Sequence, residues 1–240
     1  MLAFAYHPLE RIPVSRPVER IDHVARRCAG LRVLDLGALD ETVMGRAQHS
    51  SWKWLHGEVA RSAQEVLGVD ASEELRVKGE IRTNVGTRIV HGNVEDLDDI
   101  VREFRPDLVL AGELIEHTAD TLGWLTRLAR VAPGTRVILT TPNATSIVNI
   151  LLAFARRENQ HEDHLHTYSY KTLATLTRRL GLEEATLTPY YYHSEQFRGR
   201  VPSAAVPLVV AVDYLLLMPL QYLFPLTAFG FILEGRLPSA

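Results

Sequence analysis

The chain has 240 residues, enough for one α/β domain whose core needs neither disulfides nor metals. Hydrophobic residues make up 46% and charged residues 23%, the formal net charge is -3, and no Lys/Arg-rich run occurs, which points away from a nucleic-acid partner. The single cysteine, Cys28, cannot build a disulfide framework or a zinc knuckle, fits a reducing cytoplasm, and reads as a small buried hydrophobe.

From the N-terminus, His7, Pro8, Arg11 and Pro13 interrupt any secretory signal layout. An N-terminal helical segment (residues 1–30) carries Val18, Ile21, Val24 and Ala25 at helical spacing over Val18–Arg27. The apolar run Arg32–Gly37 predicts a first strand. Ser50 or Ser51 caps a helix over Trp52–Ala63, with Trp52, Leu55 and Val59 on one face. Val66–Asp70 is the second strand, and Ser72 caps Glu73–Lys78, which Gly79 stops. Arg88–His91, Asp107–Ala111 and Arg136–Thr140 are the next three strands. Between them, Asp96 opens a helix over Leu97–Phe104 and Asp120 opens one over Thr121–Val131, before a Pro133-Gly134 turn.

After the fifth strand, residues 144–183 form substrate-side helices and a loop. Ile147–Arg156 is apolar, a polar loop holds His161, His164 and His166, and Ser169 caps a helix that runs to Leu180 and ends at Gly181. Ala185–Tyr192 predicts a sixth strand and Phe229–Gly235 a seventh. The apolar segment 201–228 has no charge from Asp213 to Glu234, so Tyr214–Leu233 is long enough to span a bilayer. Pro219 and Pro225, with Gln221 between them, interrupt it, so it reads as a buried helix, a turn and the last strand rather than a spanning segment; peripheral membrane contact stays open. The alternation of short apolar strands with helices gives one domain over residues 1–240 with a doubly wound, mostly parallel α/β sheet.

In such a sheet ligands bind across the carboxyl ends of the strands. The first strand brings Asp35 and Gly37 there, where a glycine lets backbone pass close to a ligand. The second brings Asp70, followed by Ala71, a carboxylate suited to two ribose hydroxyls. The third brings Asn93, Val94 and Glu95 to an adenine edge, and the fourth brings Glu113, Glu116 and His117. Nicotinamide dinucleotides want G-x-G-x-x-G after the first strand, but Gly37 precedes Ala38, Leu39, Asp40 and Glu41. Carboxylates repel a pyrophosphate and tolerate a sulfonium, which favours S-adenosyl-L-methionine over NAD.

The runs Val33–Gly37, Gly68–Asp70, Gly92–Leu97, Glu113–His117, Pro133-Gly134 and Thr140–Asn143 resemble, in order, class I S-adenosylmethionine-dependent methyltransferases with a Glu-x-x-Glu-His pattern after strand 4. The resemblance spans roughly residues 20 to 185. It implies a Rossmann-like, seven-stranded sheet with an antiparallel last strand. It further implies Asp35 and Gly37 at the methionine end, Asp70 on the ribose, and Asn93 with Val94 on adenine. Two departures stand out: Ala38 and Leu39 replace further glycines, and Asn93 stands where the family has Asp.

Methyl transfer to a hydroxyl needs alignment and a base. Glu113 and His117, four apart, face one site if that segment is helical, and His117 is as well explained by a structural role as by catalysis. His164 and His166 are the other candidate catalytic residues, because the loop after the fifth strand lies over the cofactor and resembles a substrate-side loop in related methyltransferases. His161, His164 and His166 are metal candidates, for Mg2+ or a similar divalent cation, although a solvated loop is the simpler reading for them. Trp52, Trp54 and His56 could stack on a flat acceptor, with Trp52 more simply read as core, and one phenol of Tyr190–Tyr192 could reach the pocket. The expected activity is O-methylation of a saccharide or polyol-like small molecule. The alternatives are a lipid-soluble quinone or phenol as acceptor, or an adenosyl-ligand-binding protein without turnover.

Overall fold

The computed structural model describes residues 6, 7, 9–39, 54–191 and 202–239. Sequence expectations for Asp40, Glu41, Ser50, Ser51, Trp52 and Tyr192 lie outside these residues. In chain order the elements are α1 (Arg20–Cys28), β1 (Arg32–Leu36), α2 (Leu55–Ala60), β2 (Glu65–Asp70), α3 (Glu73–Lys78), β3 (Glu80–Arg82), β4 (Arg88–His91), α4 (Asp98–Phe104) and β5 (Leu108–Gly112). There follow α5 (Thr121–Val131), β6 (Arg136–Pro142), α6 (Ile147–Phe154), α7 (Tyr170–Leu180), β7 (Glu183–Tyr190), α8 (Val206–Val212), α9 (Met218–Leu223) and β8 (Gly230–Arg236).

Eight strands form one sheet in the order β3-β4-β2-β1-β5-β6-β8-β7. β1, β2, β4, β5 and β6 pair in parallel, and β8 runs antiparallel to both β6 and β7. The extra strand over the seven expected is β3, a three-residue partner antiparallel to β4. Residues alternate between faces at a period of two. Leu34, Leu36, Val109, Val137 and Leu139 pack against Phe104 of α4, Trp124 and Leu125 of α5, and Leu173 of α7. Val33, Leu108, Leu110 and Ile138 pack on the other face against Val24 and Cys28 of α1 and Val59 of α2. Each parallel strand is therefore apolar on both faces, as covered strands must be.

Caps define several helix starts as expected: Ser72 accepts from Leu75 N–H, Asp120 from Gly123 N–H and Ser169 from Thr172 N–H in a capping box. Asp96 does not open α4; Leu97 precedes that helix and offers no side-chain cap. Cys28 is fully buried, and burial pushes its thiol up to about 12, as expected of a packing residue.

The C-terminal apolar segment departs from its expected burial. Ser203–Leu223 is one 21-residue helical run, mean hydropathy 1.9, with almost none of it buried. Pro219 does not break it, because a π-helical turn over Asp213–Leu217 joins α8 to α9. The widened turn relieves the ladder where proline lacks an N–H. Only Asp213 and Gln221 of this run are buried; the large apolar residues are not.

Candidate active site

Strand order reverses between β1 and β5, with β2 and β4 on one side and β6, β8 and β7 on the other. This switch point opens a crevice at the carboxyl edge, where a ligand fits. Gly37 ends β1 with φ 72°, and a Cβ there would press on Leu114 Cδ1 at 3.3 Å, so the backbone of β1 and the segment after β5 approach closely.

On the β2 side the polar groups are already engaged. Asp70 Oδ2 accepts from Leu39 N–H at 3.0 Å and Oδ1 from Ser72 N–H at 2.9 Å, which fixes the carboxylate at the end of β2. Exposed Asn93 accepts from Glu95 N–H at 3.0 Å, setting the turn that presents half-buried Val94; Ala71 and Glu95 are exposed. Asp35 is buried, and its Oδ2 meets His56 Nδ1 at 2.8 Å. His56 Nε2 meets Thr87 Oγ1 at 2.8 Å, so this histidine is a buried bridge and not a surface for stacking an acceptor. Trp54 packs on it at 4.9 Å between ring centroids and donates to Ala38 O at 3.3 Å.

On the β5 side the chain is strained and its carboxylates are close. Glu113 has φ 54°, a left-handed conformation uncommon outside glycine, held by its N–H donating to Thr140 O at 3.0 Å. The segment from Glu113 to Asp120 is a series of turns and not a helix, since α5 begins only at Thr121. The i,i+4 helical relation of Glu113 and His117 therefore does not form, and the two residues take different partners. Glu113 accepts from the buried Tyr190 hydroxyl and lies 3.6 Å from Arg20 Nη1. Burial and the Glu113 charge raise the Tyr190 phenol well above its ordinary value, so it stays a donor. Gly230 makes room for this phenol, since a Cβ there would collide with the Tyr190 ring.

Glu116 is 1% exposed, and neither of its carboxylate oxygens makes a hydrogen bond of ordinary geometry; the Thr141 hydroxyl is a polar neighbour that favours its charged form only weakly. Burial, followed by the charge of Glu113, pushes it up to about 8. Ligand atoms of Glu116, His117 and His164 lie within 4.8 Å of one another. The backbone holds this cluster: Leu165 N–H and His166 N–H both donate to Glu116 O, at 2.8 and 3.0 Å. The rings of His117 and His164 stand edge to face at 4.6 Å. Burial and the neighbouring His117 and His161 lower the His164 imidazole, which favours its neutral form. His161 sits at the rim, 5.9 Å from the His164 ring. His166 is exposed and turned to Ala119 O at 3.3 Å, outside the cluster, contrary to its expected place in catalysis and metal binding.

Sequence reasoning missed Arg20, which reaches the site from α1, and the pairing of Tyr190, on β7, with Glu113. It also missed that Glu116, more than Glu113, joins the histidines. The signal was present in Glu116 itself: an acidic residue in an apolar turn, next to His117, with Ile115 buried beside it.

The sequence profile of the family described as "Methyltransferase domain" matches residues 14–187. No curated protein matches the chain significantly. A Bacillus halodurans structure assigned as a methyltransferase aligns over 92% of this chain and 99% of its own, at 14% identity and TM-score 0.52. Haemonchus contortus phosphoethanolamine N-methyltransferase 2, solved with S-adenosyl-L-methionine, aligns over 92% of this chain and 52% of its own, at 13% identity and TM-score 0.50. The small RNA methyltransferase HEN1 aligns over 96% of this chain and 28% of its own, at 13% identity and TM-score 0.55. At these identities the likeness is one of fold. With the profile covering most of the sequence and the crevice at the β1–β5 switch point, the chain belongs to the methyltransferase-domain family of class I, S-adenosylmethionine-dependent enzymes.

Proposed function

We propose that this enzyme transfers the methyl group of S-adenosyl-L-methionine to a hydroxyl oxygen of a saccharide or polyol-like acceptor. The observation that carries the reading is the convergence of Glu116, His117 and His164 beside Glu113 at the crevice. On the cofactor side, Gly37 and Asp35 flank the methionine end, Asp70 with Ala71 takes the ribose hydroxyls, and Asn93, Val94 and Glu95 border adenine. On the acceptor side, neutral His164 accepts the hydroxyl proton while the oxygen forms its bond to the methyl carbon. The carbon–sulfur bond breaks, and S-adenosylhomocysteine leaves.

A divalent cation fits the same cluster. A buried carboxylate with neither oxygen well hydrogen-bonded asks for a positive partner, and two imidazoles nearby complete a donor set. Nitrogen donors suit Mn2+ or Zn2+ better than Mg2+. Bound there, such an ion would supply Lewis-acid polarisation of the acceptor hydroxyl. Glu116, His117 and His164 would hold it, with His161 at the rim, and His164, whose Nδ1 meets Gln160 Oε1 at 3.0 Å, would then act as a ligand in place of the base.

A second reading, a lipid-soluble quinone or phenol as acceptor, draws on the exposed apolar helices at the same edge of the sheet. Calorimetric titration with S-adenosylmethionine, S-adenosylhomocysteine and NAD, followed by labelled methyl transfer to sugars and to phenols, tests both. Binding of the adenosyl ligands with transfer to sugars sustains the first reading. Transfer to phenols alone sustains the second, and no adenosyl binding overturns both.

A further inference from the structure

Two exposed apolar helices leave the carboxyl edge from one root. α6 has no buried residue, and its Ile150, Leu151 and Phe154 are 39%, 48% and 85% exposed. The Ser203–Leu223 helix exposes Leu208, Val212, Tyr214, Leu215, Leu216, Tyr222 and Leu223. They meet where β6 ends and β8 begins: Pro142 pairs with Gly230, and Asn143 Nδ2 donates to Leu226 O at 2.9 Å and to Ala228 O at 2.8 Å.

We propose that this pair of helices is a membrane-docking surface, with the Ser203–Leu223 helix lying in the plane of a phospholipid bilayer. Its chemistry fits lipid better than protein. From residue 202 to 224 the only ionisable acid or base is Asp213, which is buried, and the only exposed hydroxyls are those of Ser203, Tyr214 and Tyr222. A protein partner of comparable extent would ask for about one hydrogen bond per 100–200 Å², which this face cannot answer. Hydrocarbon asks for none. Exposed Arg156 and Arg157 follow α6, ahead of exposed Glu158, and exposed Arg16 lies 4.4 Å over the Tyr222 ring, so arginines stand at the margin of the apolar face, where headgroups would lie.

The helix is long enough to span, but the topology opposes spanning. Both of its ends connect to strands of one sheet, β7 before it and β8 after it. If it crossed, the chain between β7 and the helix would have to cross back, carrying the charged Glu195, Arg198 and Arg200 through hydrocarbon. An in-plane helix avoids this and leaves the crevice facing the lipid surface.

The test is flotation of the full chain with vesicles of phosphatidylcholine and phosphatidylglycerol, alongside S-adenosylhomocysteine titration and light scattering. Docking predicts co-flotation, release by high-pH carbonate, and a loss of roughly tenfold or more in vesicle partitioning for Leu215→Asp and for Phe154→Asp. Both variants should keep the wild-type unfolding midpoint and S-adenosylhomocysteine affinity. Absence from the floated fraction, retention after carbonate, or a dimer that Leu215→Asp dissociates without any vesicle binding would each overturn the proposal. Vesicle binding does not depend on the adenosyl ligand, so failure here and failure of the methyl-transfer reading are separately visible.

Discussion

The two sides of the crevice treat charge in opposite ways. On the β2 side the two strand-borne acids are engaged: Asp35 with His56, and Asp70 with two backbone N–H groups. On the β5 side Glu113 sits on a left-handed backbone, and Glu116 is buried without a hydrogen bond of ordinary geometry. A binding surface gains from acceptors fixed in advance, because little ordering is left to do when the ligand arrives. A reacting centre gains from groups that the fold has not satisfied, because an incoming proton, cation or substrate then completes them.

The largest expected effect breaks the paired side. His56→Leu strands the Asp35 carboxylate in the core, and the urea midpoint should fall by an amount equivalent to about 3–5 kcal/mol. A fall below about 1 kcal/mol would mean that the Asp35–His56 contact carries little weight.

Glu116→Gln tests the unsatisfied side. The carboxyl has an ordinary value of 4.5 and is raised to about 8 in the fold, so the folded chain holds a proton that the unfolded chain has released. Stability should therefore decline as pH rises from 4.5 to about 8, by up to about 1.4 kcal/mol per pH unit for one proton. The glutamine variant should lose that slope and also lose Mn2+ binding measured by electron paramagnetic resonance. An unchanged slope would show that Glu116 titrates like an exposed carboxyl.

Asp70→Asn turns one acceptor into a donor where Leu39 and Ser72 already donate. S-adenosylhomocysteine affinity should weaken by roughly 30-fold, about 2 kcal/mol, in calorimetry. The smallest effect comes from Tyr190→Phe, which leaves Glu113 to Arg20 alone; about 1–2 kcal/mol of stability should be lost, with adenosyl affinity unchanged.

These predictions also mark how far the sequence could be read. The parallel strands were legible because strands buried on both faces need apolar runs, and Ser72, Asp120, Ser169 and Gly181 punctuated their helices by cap chemistry. β3 was not legible, since Glu80-Ile-Arg82 carries a single apolar residue in a three-residue strand, and its contacts to β4, Ile81 on the Ile89 cluster and Glu80 3.9 Å from Arg88, appear only once the two strands pair. The cofactor side could be listed from strand ends alone. The acceptor side could be listed only in part: Glu113, Glu116, His117 and His164 were named, but Arg20 and the pairing of Tyr190 with Glu113 come from α1 and β7 and meet that segment only in three dimensions. The apolar C-terminal run was misjudged as buried because composition records hydrophobicity and not what covers it, and because a π turn let the helix pass a proline.

The condition of Cys28 has a practical consequence. Its thiol is the only one in the chain, is fully enclosed, and is held almost wholly protonated at neutral pH. Alkylating reagents, which need an accessible thiolate, find no native target in the folded molecule. An environment-sensitive fluorophore attached through Leu215→Cys would therefore speak for one helix alone, and its emission would register the polarity around that helix with no background to subtract.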